Sequence, residues 1–168
     1  MPDDNRPSDV VRPALFAAAA VLFVAAVAMA SFTGYRYWSD RQVEHARTDS
    51  VAAARHAVES VFTYDFKTVD TELPKSADNL TPSFRSDYLK LIQQAIAPGA
   101  KEKQLTVQAT TSAAGVVSAE RSHAVVLLYL NQVTTGKDSP KGTVTPSRVR
   151  VALDKDGSHW LVDSITPI

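Results

Sequence analysis

Cysteine is absent from all 168 residues. Disulfides, thiolate nucleophiles, iron–sulfur clusters and Cys-ligated zinc are therefore excluded together. The same absence leaves the compartment unmarked, because a cysteine-free domain suits either side of a membrane. Charge of one sign is also missing: 18 Lys and Arg balance 18 Asp and Glu. Arg6, Arg12 and Arg36 are offset by Asp3, Asp4 and Asp9, so the balance persists beyond residue 38. No basic field is present to attract nucleic acid, and no nucleic-acid partner is expected. Glycine is scarce, with six residues, and none builds a P-loop, a dinucleotide loop or a G-x-S-x-G elbow.

The sequence is equally poor in recognisable chemistry. His45, His56, His123 and His159 are scattered, and none has a His or carboxylate at metal-motif spacing. Each reads as a surface or edge histidine. Ser and Thr are plentiful, but no Ser–His–Asp set can be chosen from spacing. Asp65 is the one carboxylate with a sharper reading. If the helix before it keeps its phase, Asp65 turns toward the apolar face and becomes a general base in a pocket. The plainer alternative, favoured here, is an internal hydrogen bond tying the next loop to the helix. No catalytic residue, metal ligand or cofactor is assigned, and the chain is expected not to be an enzyme.

What is present begins with an apolar run. Between Arg12 and Arg36 there is no charged residue, and Ala, Val, Leu and Phe dominate. About 20 helical residues span the ~30 Å hydrocarbon core of a bilayer, and Tyr35, Tyr37 and Trp38 follow where an interfacial aromatic belt belongs. Two readings compete. Ala28-Met29-Ala30 fits a signal-peptide cleavage site, but the run continues past Ala30 and the start is only weakly basic. An uncleaved anchor is favoured. The count of Lys and Arg on its two sides leaves the orientation open. The expected organisation is a tail over 1–12, an anchor over 13–38, an amphipathic stalk and first domain helix over 39–66, and the remaining domain over 67–168.

In that first helix Val51, Ala54, Val58, Val61 and Phe62 share one arc of the wheel. Residues 67–80, broken by Pro74, are expected to be a loop. Thr81-Pro82 then marks a helix start, with Phe84, Tyr88, Leu91, Ile92 and Ala95 on one face and an end near Pro98-Gly99. Alternation predicts strands around Leu105–Val117, Val144–Leu153 and His159–Ile165, and the continuous apolar run Ala124–Val133 reads as the central strand. Lys137–Gly142 is expected to be a loop, and Asp156-Gly157 a hairpin turn. Helices followed by an antiparallel meander make an α+β domain of about four strands, with the helices on one sheet face.

Several motifs in this order resemble the Mce-associated membrane proteins of actinobacteria. They are Tyr64-Asp65-Phe66 after an Ala-rich amphipathic stretch, Leu80-Thr81-Pro82-Ser83-Phe84 followed by Tyr88, Asn131-Gln132-Val133 closing an apolar strand, and the terminal Trp160-Leu161-Val162. The resemblance implies a cone-like domain with a curved antiparallel sheet, of the nuclear-transport-factor-2 (NTF2) and VirB8 type. It also implies a single-pass inner-membrane anchor with the C-terminal domain extracytoplasmic. The implied role is a non-catalytic accessory protein that stabilises or assembles an Mce-type lipid transport complex, with the membrane and Mce subunits or other envelope proteins as partners. Homo-oligomerisation is left open. The alternatives are a VirB8-like scaffold of a secretion complex, or a small-molecule-binding or enzymatic pocket protein. The pocket reading requires an open cavity into which Asp65 reaches, and not one filled by Phe62, Tyr88 and Leu128.

Overall fold

A computed structural model describes residues 27–31 and 41–168. The expected tail and, apart from the helical residues 27–31, the expected anchor lie outside the described residues. No helix among the described residues is long and apolar enough to cross a membrane. The chain divides at residue 42, and the folded unit is Val43–Ile168.

The first helix, α1, is described from residue 41 and ends at residue 62. Its inward side carries Ala46, Ser50, Ala54, Ala57, Val58 and Val61, all buried. Spacings of three and four put these residues on one stripe, and their small size lets the helix approach its neighbours closely. The helix stops earlier than the expected residue 66, because Tyr64–Asp65 is extended as β1 and pairs antiparallel with Val107 and Thr106.

The segment expected to be a loop is helical. Val69–Glu72 forms α2, and Leu73–Asn79 continues as a 3₁₀ helix with Pro74 in its first turn. A missing N–H costs nothing at that position. Thr81 begins α3 (Pro82–Leu91) as expected, its Oγ1 accepting from the Phe84 N–H at 3.5 Å. The helix does not end at Pro98-Gly99. A π turn over Ile92–Ile96 leads into α4 (Ala97–Lys103), with the Ala97 N–H bonded to the Ile92 carbonyl five residues back. The widened turn precedes the proline and lets the chain continue through it. It also adds a residue to the repeat, so Ile96 and Ala97 turn inward in place of the expected Ala95.

Four long strands follow: β2 (Thr106–Ala119), β3 (His123–Gly136), β4 (Ser139–Asp156) and β5 (His159–Pro167). With β1 they make a five-stranded meander in chain order, one strand more than expected. A two-residue β1 carries too little alternation to be seen in sequence. The expected Lys137–Gly142 loop is instead a tight turn at Lys137–Asp138, with Gly136 opposite Ser139. Register shifts at Ser112 and Val117 in β2, and between Ala152 and Leu153 in the β4–β5 ladder, are bulges. Each adds local twist, and together they curl the sheet. Ala124, Val126, Leu128 and Leu130 of β3, Val149, Val151 and Leu153 of β4, and Trp160 and Val162 of β5 form its buried inner face. The helices join that face in one core.

Candidate functional site

The inner face is closed by side chains over most of its length and open at one end. There a cavity of about 620 Å³ remains. Its walls come from the end of α1 (Val61, Phe62), from β1 (Tyr64) and from α3 and the π turn (Phe84, Tyr88, Leu91, Ile96). Asp87 of α3, Leu105, Val107 of β2, Gln132 and Thr134 of β3, and Ile165 and Pro167 of β5 complete them. Register explains the β residues, since Val107 stands opposite Thr134 on the inward side of the curl. Phe62 and Tyr88 line the space without filling it, and Leu128, 0% exposed, lies in the closed core.

Tyr88 organises one wall. Its hydroxyl donates to the Val61 carbonyl at 2.9 Å and lies 3.3 Å from Ser76 Oγ, which donates to the Leu73 carbonyl. One phenol thus satisfies a carbonyl at the end of α1, where the helix itself supplies no partner, and ties α3 to the 3₁₀ helix. Burial pushes the Tyr88 hydroxyl up to about 12, and the Ser76 contact opposes this only in part. Burial also raises Tyr64 above the usual tyrosine value.

Asp65 is not in this cavity. Strand alternation turns Tyr64 inward and Asp65 to the opposite side. One carboxylate oxygen accepts the Lys67 N–H at 2.8 Å and the other the Thr106 hydroxyl at 2.7 Å. The backbone bond from Lys67, then the Thr106 hydroxyl, holds its carboxyl below the usual aspartate value. A base in an apolar pocket needs the opposite shift. The internal hydrogen bond is the correct reading of Asp65, although it joins the loop to β2 and not to α1. Glu59 of α1 also turns to the sheet. Its carboxylate accepts the Thr111 N–H at 2.7 Å, and Thr63 Oγ1 accepts the Ala109 N–H at 3.1 Å. Side chains from α1 and the residue after it therefore satisfy edge N–H groups of β2 beyond the end of β1.

The histidines stay apart from the cavity. His123 Nδ1 lies 2.7 Å from Asp154 Oδ1, a cross-strand pair with both side chains about half exposed. Sequence spacing did not show this pair, because it depends on a register that shifts near the Lys137–Asp138 turn. His56 and His159 line a shallow depression with Asp49, Asp78 and Trp160. Among the described residues no three His, Asp or Glu side chains gather closely enough to hold a metal ion.

The family model described as uncharacterized protein Rv1363c/MT1408-like matches residues 13–165. A relative named outer membrane protein Rv1973, from Mycobacterium tuberculosis strain H37Rv, is 37% identical over 147 residues, covering 85% of this chain and 91% of that protein. Among solved structures, an IcmL-like type IV secretion system protein of Legionella pneumophila superposes with a TM-score of 0.59 at 16% identity, over 70% of this chain and 90% of that one. CagV, a VirB8 homolog from Helicobacter pylori, gives 0.55 at 12% identity, over 70% and 94%. These likenesses establish a VirB8-like fold.

Proposed function

The chain belongs to the Rv1363c/MT1408-like family, and on that premise we propose that its folded domain is a non-catalytic scaffold that docks membrane proteins of the cell envelope. The observation that carries this reading is the outer face of the sheet. Tyr129, Val133 and Val144 are 42%, 40% and 62% exposed. Val133 stands directly opposite Val144, and Tyr129 opposite Arg148, on that same face. Exposed apolar side chains grouped on one face and flanked by charge mark a protein contact surface. The VirB8-like fold, shared with domains named as parts of secretion systems, favours an assembly role over a pocket enzyme. The apolar run over 13–38 would confine the domain to a membrane and raise its effective concentration for partners there.

Two kinds of partner are consistent with this role. The fold points to a VirB8-like assembly, whereas the sequence motifs point to subunits of an Mce-type lipid transporter. Crosslinking in intact membranes followed by co-purification separates them. The scaffold reading expects a defined set of envelope proteins whose recovery falls when Tyr129→Glu and Val144→Asp are introduced. Recovery unchanged by both substitutions would remove this face from the proposal.

A further inference from the structure

The cavity at the open end of the curl has no part in the scaffold role, and its lining is selective. Elsewhere the core closes completely: Val126, Leu128, Val151, Leu153 and Val162 are each 0% exposed. Interiors normally pack to that density, and apolar walls left facing solvent forfeit both dispersion contacts and hydrophobic burial. Here about 620 Å³ is unfilled, within the ~300–1,000 Å³ of small-molecule sites. Leu91 stands at the rim, 51% exposed.

The polar groups in the lining are of one kind. Tyr64, Gln132 and Thr134 line the cavity, and none makes a side-chain hydrogen bond to another described residue. All three are neutral donors and acceptors. No Lys, Arg or His is among the lining residues, and Asp87, the one ionisable carboxylate there, is paired with Lys90 at 3.2 Å. An anionic head group would find no cation to meet it and one carboxylate to repel it. A cationic head would have to compete with Lys90.

We propose that this cavity is a binding site for an uncharged amphipath, a molecule with an apolar body and a hydroxyl or carbonyl group that meets Gln132, Thr134 and Tyr64. The apolar body lies against Phe62, Phe84, Leu105 and Ile165. The site is independent of the outer sheet face, so a ligand and a docked protein can be held together.

The test uses the full chain in lipid nanodiscs and three ten-carbon photoreactive probes that differ only in the head group: an alcohol, a carboxylate and an ammonium. Labelled peptides are mapped by mass spectrometry. The expected result is labelling of residues 84–107 and 132–134 by the alcohol, competed by excess 1-decanol. Gln132→Leu should reduce this about five- to tenfold, the loss of roughly one hydrogen bond, and Thr134→Phe should block it by filling the space. Both positions lie on the inner side of β3 and are only partly buried. Circular dichroism and thermal melting of each variant confirm that it is folded. Equal labelling by all three probes, labelling not competed by decanol, or labelling unchanged in both folded variants would overturn the proposal.

Discussion

Two residues carry opposite consequences for pH. Tyr88 has a folded-state value raised to about 12 by burial, against about 10 in an unfolded chain. Between those values the unfolded state releases a proton that the folded state keeps, so stability is intact below pH ~10 and falls as pH rises toward ~12. Tyr88→Phe should flatten that alkaline limb in a pH series of chemical denaturation. It should also cost about 1–2 kcal/mol at neutral pH, because the Val61 carbonyl loses its partner. Asp65 behaves in reverse. Its lowered value means that its contribution is present above the ordinary carboxylate range and lost as pH falls through the folded-state value. Asp65→Asn should make the acid limb shallower; an unchanged limb would place the acid-sensitive group elsewhere. The hydrogen bonds of Asp65 could not be read from sequence, because Thr106 lies 41 positions away and meets it only through the β1–β2 pairing.

At the scale of elements, α3 starts at a local cap, and the tip of the β3–β4 hairpin is held by the end of α4. Thr81 caps α3, and its hydroxyl also lies 3.2 Å from Asp163 Oδ1, while its N–H bonds to the Val162 carbonyl. Thr81→Ala removes the cap and the hydroxyl contact with Asp163 together, leaving the backbone bond to Val162, and should cost ~1–2 kcal/mol in urea unfolding. At the tip, Gly136 packs against the end of α4, and the Lys137 N–H bonds to the Lys103 carbonyl. A Cβ at Gly136 would sit 2.8 Å from Leu105 Cδ2 and 3.1 Å from the Lys103 carbonyl oxygen. Gly136→Ala should therefore cost about 1–3 kcal/mol, with hydrogen exchange accelerated in the hairpin tip. The Thr81-Pro82 signal was plain in sequence, because N-caps act over three residues. The π turn before Pro98 was not, because local propensity reads a proline as a helix end.

For the whole molecule, the decisive question is how the domain is held. An uncleaved anchor over 13–38 predicts that the full chain resists alkaline carbonate extraction of membranes and retains its mass of 18.2 kDa. Cleavage after Ala30 would appear as a shortened, extractable species. Separation of inner from outer membrane then bears directly on placement, since one relative is named an outer membrane protein. Protease added to intact cells from which any outer barrier has been removed should digest the domain if it is extracytoplasmic.

The sequence by itself determined the class of the domain. Alternation marked three of the long strands because a half-buried sheet imposes a period of two, and a continuous apolar run marked the central one. The stripe on α1 followed in the same way from the helical period. Those are local signals, legible over a few residues. The tertiary structure decided whatever depends on register and curvature. Bulges at Ser112 and Val117 and in the β4–β5 ladder bend the sheet, and a bulge changes the count of residues without disturbing composition. That bend leaves the cavity open at one end and brings Gln132 and Thr134 to its wall, while the alternation imposed by β1–β2 pairing turns Asp65 away from it.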